Sequence, residues 1–380
     1  MRLLALVTWL CVFALACDDG SSEVGEDARA DGREPGAGDD GAPDEVGGVD
    51  EPPPVTGDHL TEAHCGSEAA YPPGTFVYVG GGGTDGRVGS SPDGLEWYEE
   101  TTTSRGNSLP GHTRNLVRGA GYGGGVFVLV GGNDNAYVVT TCDGVHFHHD
   151  VLRTNVEASP PPEYDNFLSD VAYLDGVFVA VGGAGKRLTS FDHGLTWEET
   201  GSFVSGHLRE VEAGAGRFVA VGASFDLTRA FSTTSEDGRT WSEPLLSGEP
   251  LDRGLAYGAG VFVAVGESRC AVSEDGQRWD ACDVDARTFQ AVQFVDGRFY
   301  LSTSSGVWLS DDGRTYRAAE GVSLPPNLVE GPSGFVFAST SQRGRGDALD
   351  GFETRSLDGF RALTGGEVLY VPLLHEERTP

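Results

Sequence analysis

Gly125-Val-Phe-Val-Leu-Val-Gly-Gly132 is the stretch on which the reading turns, because it returns as Gly176-Val-Phe-Val-Ala-Val-Gly-Gly183, Gly216-Arg-Phe-Val-Ala-Val-Gly-Ala223 and Gly260-Val-Phe-Val-Ala-Val-Gly-Glu267. Looser copies stand at 74–81, 297–304 and 334–341. Each is a run of about five apolar residues closed by Gly or Ser, the pattern of a strand buried on both faces. Self-similarity at a spacing of about 36 to 51 residues marks a repeat architecture, with one supersecondary unit per copy.

Outward from each copy, the downstream neighbour is a second phrase. Examples are Ser235-Glu-Asp-Gly-Arg-Thr-Trp241, Ser273-Glu-Asp-Gly-Gln-Arg-Trp279 and Ser310-Asp-Asp-Gly-Arg-Thr-Tyr316, and its acids are Asp93, Asp143, Asp192, Asp237, Asp275, Asp312 and Asp358. Asp-Gly between apolar segments predicts a hairpin, since Gly accepts positive φ and the carboxylate binds the turn's own amides. Upstream lies a short segment, as in 118–122, 169–173, 209–213, 253–257 and 290–294. Inner, central, third and outer strands make a four-stranded blade. Counting central strands predicts an all-β, seven-bladed β-propeller over 65–380, with Phe76, Phe127, Phe178, Phe218, Phe262, Phe299 and Phe335 equivalent. The first repeat lacks an inner strand of its own. The surplus segment Glu367-Val-Leu-Tyr-Val-Pro-Leu373 is expected to supply it and so close the first blade.

The Ser-x-Asp phrase resembles the Asp box of bacterial sialidases and related BNR-repeat propellers, with Ser190-Phe-Asp-His-Gly-Leu-Thr-Trp197 keeping its full spacing and the other copies one residue shorter. The resemblance implies a propeller and covers the repeats alone. The Phe-Arg-Ile-Pro motif of the catalytic members does not occur, and Phe360-Arg361 continues with Ala-Leu. Whether the chain is an enzyme stays open at this point. A non-catalytic binding or assembly propeller, taking an envelope protein or a glycan, is the favoured expectation, and a divergent sialidase-like glycoside hydrolase is the alternative.

Before the repeats, Arg2 precedes an apolar run over Leu3–Ala16, the length of a signal-peptide core rather than a membrane span. Ala14-Leu-Ala-Cys17 resembles a lipobox, although the order Ala then Leu inverts its usual one; the same alanines fit ordinary signal cleavage. The expectation is a signal over 1–16, a lipid on Cys17 and an acidic, disordered tether over 17–64, because a stretch of Asp, Glu, Gly, Ala and Pro buries too little to offset its entropy. That places the chain outside the cytoplasm on a bacterial envelope as an exported, lipid-anchored monomer, with inner and outer membrane equally open.

With 58 acidic against 26 basic residues the formal charge is −32, which argues against nucleic acid and against polybasic membrane docking. Beyond the signal, Cys65, Cys142, Cys270 and Cys282 are even in number in an exported chain. Disulfides are expected, with Cys270 and Cys282 facing each other across a hairpin, and zinc is the weaker reading for want of CxxC. No cofactor or metal is expected.

For a site, nine residues before the central Phe stand Arg118, Arg209 and Arg253, at the starts of three inner strands around one mouth of the ring. Three guanidiniums there would hold a carboxylate or sulfate; the bland alternative pairs each with a local acid. Asp170 and Glu210 are the acids nominated for proton transfer. Arg345-Gly-Asp347, the histidines 146, 148 and 149, and Gly131–Asn135 are read as ordinary loop or strand residues.

Overall fold

The structure, a computed structural model, describes residues 76–370 except 83–84, 92–93, 96–97, 102–116, 133–135, 143–146, 153–166, 203–204, 323, 326–327, 332–333, 339–341, 350 and 357–367. By contacts the chain divides into residues 1–51 and 52–380, and all described residues belong to the second unit. The signal, Cys17, the tether, Cys65, Asp93, Asp143, His146, Asp358 and Phe360 lie outside the described residues.

Six blades are each built from four consecutive antiparallel strands, numbered I to VI here and covering 117–152, 168–201, 206–247, 254–281, 289–318 and 328–356. The remaining sheet is composite. Its strands Phe76–Gly82, Asp85–Ser91 and Tyr98–Thr101 are joined by Val368–Tyr370 from the other end of the chain, with Val77 opposite Tyr370 and Val79 opposite Val368. The expectation of seven blades is therefore corrected to six blades proper. The repeats count central strands, and the first of these brings no inner strand of its own, so it does not make a blade of consecutive strands.

Blade III shows why these residues pair as they do. Arg217–Ser224 lies between Gly206–Gly214 and Ala230–Ser235, with Phe218 opposite both Ala213 and Ser235. It is therefore covered on both edges and both faces, and its Phe218, Val219, Ala220 and Val221 are at most 1% exposed. The equivalent Phe127, Phe178, Phe262 and Phe299 are equally buried, each worth roughly 1.5–3 kcal/mol of transfer free energy. An aromatic ring on the inner strand caps each of them, as in Tyr122–Phe127, Tyr173–Phe178, Tyr257–Phe262 and Phe294–Phe299, with centroids 4.6–4.8 Å apart.

The core is a set of packets shared between neighbours rather than one mass. Val128 of blade I packs with Phe178 of blade II, Val181 of II with Phe218 of III, and Val221 of III with Phe262 of IV. The Ser-x-Asp-Gly turns of blades III and IV add a staple to the preceding blade. In blade III, Gly238 N–H donates to Ser235 Oγ (2.8 Å), the amides of Arg239 and Thr240 donate to Asp237 Oδ1, and Trp241 Nε1 donates to Gly238 O (3.0 Å). The same Gly238 carbonyl accepts Thr189 Oγ1 of blade II at 2.7 Å. Gly276 repeats this on Ser232. Its φ of +72° and a notional Cβ only 2.4 Å from Val219 explain why glycine stands there. Gly94 of the composite sheet lies against Val336 of blade VI in the same way, and the 368–370 strand touches the inner strands of blades I and VI, so the ring closes through the composite sheet.

Cys270 and Cys282 form a disulfide across blade IV, with Cα atoms 5.4 Å apart. Cys142 is also disulfide-bonded, its partner lying outside the described residues.

Candidate binding mouth

Inner strands touch inner strands all the way round, from blade I to II, II to III and onward to VI, so their first residues ring one mouth. Four of them carry a β-bulge at one equivalent position. The extra residue is Arg118 in blade I, Ser169 in II, Arg209 in III and Gln290 in V. A bulge leaves its residue out of the ladder and re-aims its side chain. At two of the four it aims a guanidinium.

Arg118 and Arg209 converge. Both stack over the ring of Phe167, just before the inner strand of blade II, with guanidinium carbons 5.0 and 5.5 Å from its centroid. Arg118 Nε also donates to Gly132 O at 3.4 Å. Burial, and then the charge of Arg209, lower the Arg118 pKa from its ordinary value. Two like charges thus share one aromatic ring, near enough for the charge of Arg209 to be felt at Arg118.

Arg253 stands apart. Its guanidinium donates to Glu267 Oε2 at 2.9 Å and to Phe289 O at 3.1 Å, which is the bland pairing, so the triad reduces to a pair. Arg253 instead borders a neighbouring cleft of about 620 Å³ together with Leu227, Asp252, Arg287 and Thr288.

Asp170 and Glu210 stand on adjacent inner strands. Asp170 Oδ1 accepts the Val171 amide (2.8 Å) and Oδ2 the Val211 amide (3.0 Å), so the carboxylate stitches blade II to blade III. Desolvation raises its pKa to about 6 against the pull of those two amides. Glu210 accepts no hydrogen bond among the described residues. Desolvation, then the charge of Asp170, raise its pKa well above the carboxylate range, with Arg209 opposing. Glu212, one step further along the strand, is raised to about 8 by desolvation, opposed by the Ala213 amide.

Residue-by-residue reading of the repeats does not single out Phe167, His207, Phe225 or Leu227. His207 lies 5.4 Å from Phe167 and 4.9 Å from Phe225, centroid to centroid, and its Nδ1 accepts the Ala184 amide at 3.3 Å. The signal was an apolar pair, Phe225 and Leu227, in a connection where the other repeats carry only small, polar or charged residues. Elsewhere, Tyr137 O–H and His149 Nδ1 share a hydrogen bond, and Arg345-Gly-Asp347 lies within the strand Gln342–Ala348 rather than a loop. Among the described residues no three His, Cys, Asp or Glu side chains are grouped as metal ligands, and no helix is long and apolar enough to cross a membrane.

No family model matches this sequence, nor does any curated protein. Among solved structures, YCF48 bound to D1 peptide is 16% identical, with 77% of this chain and 88% of that one covered and a TM-score of 0.47. YCF48 from Cyanidioschyzon merolae is 12% identical, covering 73% and 94%, with a TM-score of 0.43. The nidogen/laminin complex is 10% identical, covering 78% and 98%, with a TM-score of 0.42. The chain itself, by its sheet order and closure, is an all-β propeller.

Proposed function

We propose that this chain is a non-catalytic binding propeller, held on a bacterial envelope by a lipid on Cys17 and the acidic segment over 17–64, and that its mouth captures an anionic group of a protein or glycan between Arg118 and Arg209. The observation that carries this reading is the convergence of two guanidiniums, from bulges in separate blades, on the single ring of Phe167. Their mutual repulsion is relieved by an anion, and charge-assisted bonds to such a group are roughly twice as strong as neutral ones. Proton-transfer chemistry has weaker support, since both oxygens of Asp170 already accept backbone amides.

The test is capture from native envelope extract by the wild-type protein and by an Arg118→Ala/Arg209→Ala variant. A ligand retained by the first and lost by the second supports the reading. Equal capture, or hydrolysis of a fluorogenic sialoside that the variant abolishes, overturns it. Labelling with a palmitate analogue that is lost in Cys17→Ser checks the anchor.

A further inference from the structure

The non-glycine residues with positive φ among the described residues fall into two groups. Asp175, Ala184, His193, Ala215, Ala259 and Asp296 each precede a glycine in a tight turn. Leu227 (φ 54°) and Thr288 (φ 60°) do not; they precede Thr228 and Phe289. Both are bulky residues in a backbone region that such side chains avoid, and both line the same 620 Å³ cleft on the mouth. Neither is followed by glycine; the Leu227 amide closes a turn on Ser224 O that holds Leu227 in this conformation at the edge of the cleft.

The loop carrying Leu227 is held rigidly. Ser224 Oγ accepts the amides of Thr228 (3.3 Å) and Arg229 (3.1 Å), Asp226 Oδ1 accepts Thr228 Oγ1 (2.8 Å), and the Leu227 amide donates to Ser224 O (2.8 Å). What this network displays is apolar: Leu227 is 59% and Phe225 48% exposed, two of the three exposed large hydrophobics among the described residues. The Phe225 ring continues through His207 to Phe167, beneath Arg118 and Arg209. At the cleft's other side, Arg287 makes no hydrogen bond or ion pair among the described residues.

We propose that the ligand of this mouth is an extended polypeptide segment whose carboxylate seats between Arg118 and Arg209 and whose large apolar side chain, a few residues along, seats on Phe225 and Leu227. The proposal rests on the anion-binding mouth above and names its partner. Charge complementarity selects this occupant. Two guanidiniums at one ring suit a single carboxylate, whereas a chain of net charge −32 repels a polyanionic glycan. An aliphatic anchor such as Leu227 suits a side chain better than a sugar ring. Two anchors separated by three linked ring contacts match a strand-like segment, which advances about 3.3 Å per residue.

The experiment uses the full-length chain and fluorescein-labelled octapeptides of Gly and Ser bearing one Asp and one Leu two to five residues apart, with Asn-for-Asp and Ser-for-Leu controls and a sialylated oligosaccharide probe, read by fluorescence anisotropy. At one spacing the two-anchor peptide is expected to bind at least ~10-fold tighter than either control, a difference of about 1.4 kcal/mol. Leu227→Gly is expected to weaken it about as much while leaving the melting temperature unchanged or higher, because glycine takes this φ without strain. Phe225→Ser should weaken binding likewise. A Leu227→Gly protein that binds normally, or that melts lower, overturns the inference and leaves the anion mouth standing if Arg118→Gln/Arg209→Gln still abolishes binding. Binding indifferent to both arginines overturns both readings. An oligosaccharide that binds at the mouth where no peptide does overturns the polypeptide ligand alone.

Discussion

The rim and the mouth of this ring follow opposite rules. On the rim, blades II to V repeat the Ser-x-Asp-Gly bonding pattern, and the turns of III and IV lay a glycine carbonyl on a hydroxyl of the blade before. Its carboxylates are satisfied by their own turns: the amides of Thr315 and Arg314, for instance, hold Asp312 below its usual pKa. On the mouth the blades diverge. The bulge carries Arg, Ser, Arg and Gln, carboxyls sit half-buried with raised pKa, and Leu227 and Thr288 are strained. Repetition marks what every blade needs in order to close the ring; departure from repetition marks what a single blade was given for something else.

That contrast is broken most forcefully on the rim. Gly276→Val forces a β-branched residue into φ +72° with its Cβ against Val219, and should cost about 3 kcal/mol or more in denaturant unfolding. Whatever fraction folds should bind as the wild type does. The mouth should behave in reverse. In Arg118→Ala/Arg209→Ala, ligand affinity should fall roughly 10- to 100-fold, as for lost charge-assisted bonds, while the melting temperature moves far less than in Gly276→Val.

Asp170 lies on the mouth but does a rim's work. Asp170→Ala strands the amides of Val171 and Val211, and should lower unfolding free energy by about 1–3 kcal/mol. A loss near zero would mean that water replaces the carboxylate there. The smallest expected effect is on pH. The folded-state pKa values of Asp170 (about 6) and Glu212 (about 8) lie above the ordinary carboxylate value. A raised carboxyl favours the fold while protonated, and that advantage is lost as pH climbs from the unfolded value, about 4, through the folded one. Stability should therefore decline between about pH 4 and 8, by no more than roughly 5 °C in Tm given partial solvent access. Glu212→Gln should flatten the upper part of that slope.

The rim was legible in the sequence because each of its bonds is local: Ser, Asp, Gly and the aromatic lie within eight residues of one another and recur. The inner-strand starts were legible too, by counting back from each Phe. Their convergence was not. Arg118 and Arg209 meet through Phe167, a residue of the intervening blade that no spacing links to either, and Arg253 has the same offset yet closes on Glu267 because an acid happens to lie across its strand. The number of blades was misread for a related reason. Central strands announce themselves by composition and were counted one per blade, whereas the C-terminal strand, itself expected from the sequence, completes a composite sheet rather than a blade of consecutive strands.

That composite sheet also makes the order of the chain arbitrary. Val77 and Tyr370 are neighbours in it, so a short linker from the 368–370 strand to Phe76 would yield a circle with no beginning, and new ends opened at any connection between blades would give a permuted gene for the same ring. Where the ends emerge is then a matter of orientation rather than folding: moving them around the ring would change which way the mouth faces relative to any segment joined to them.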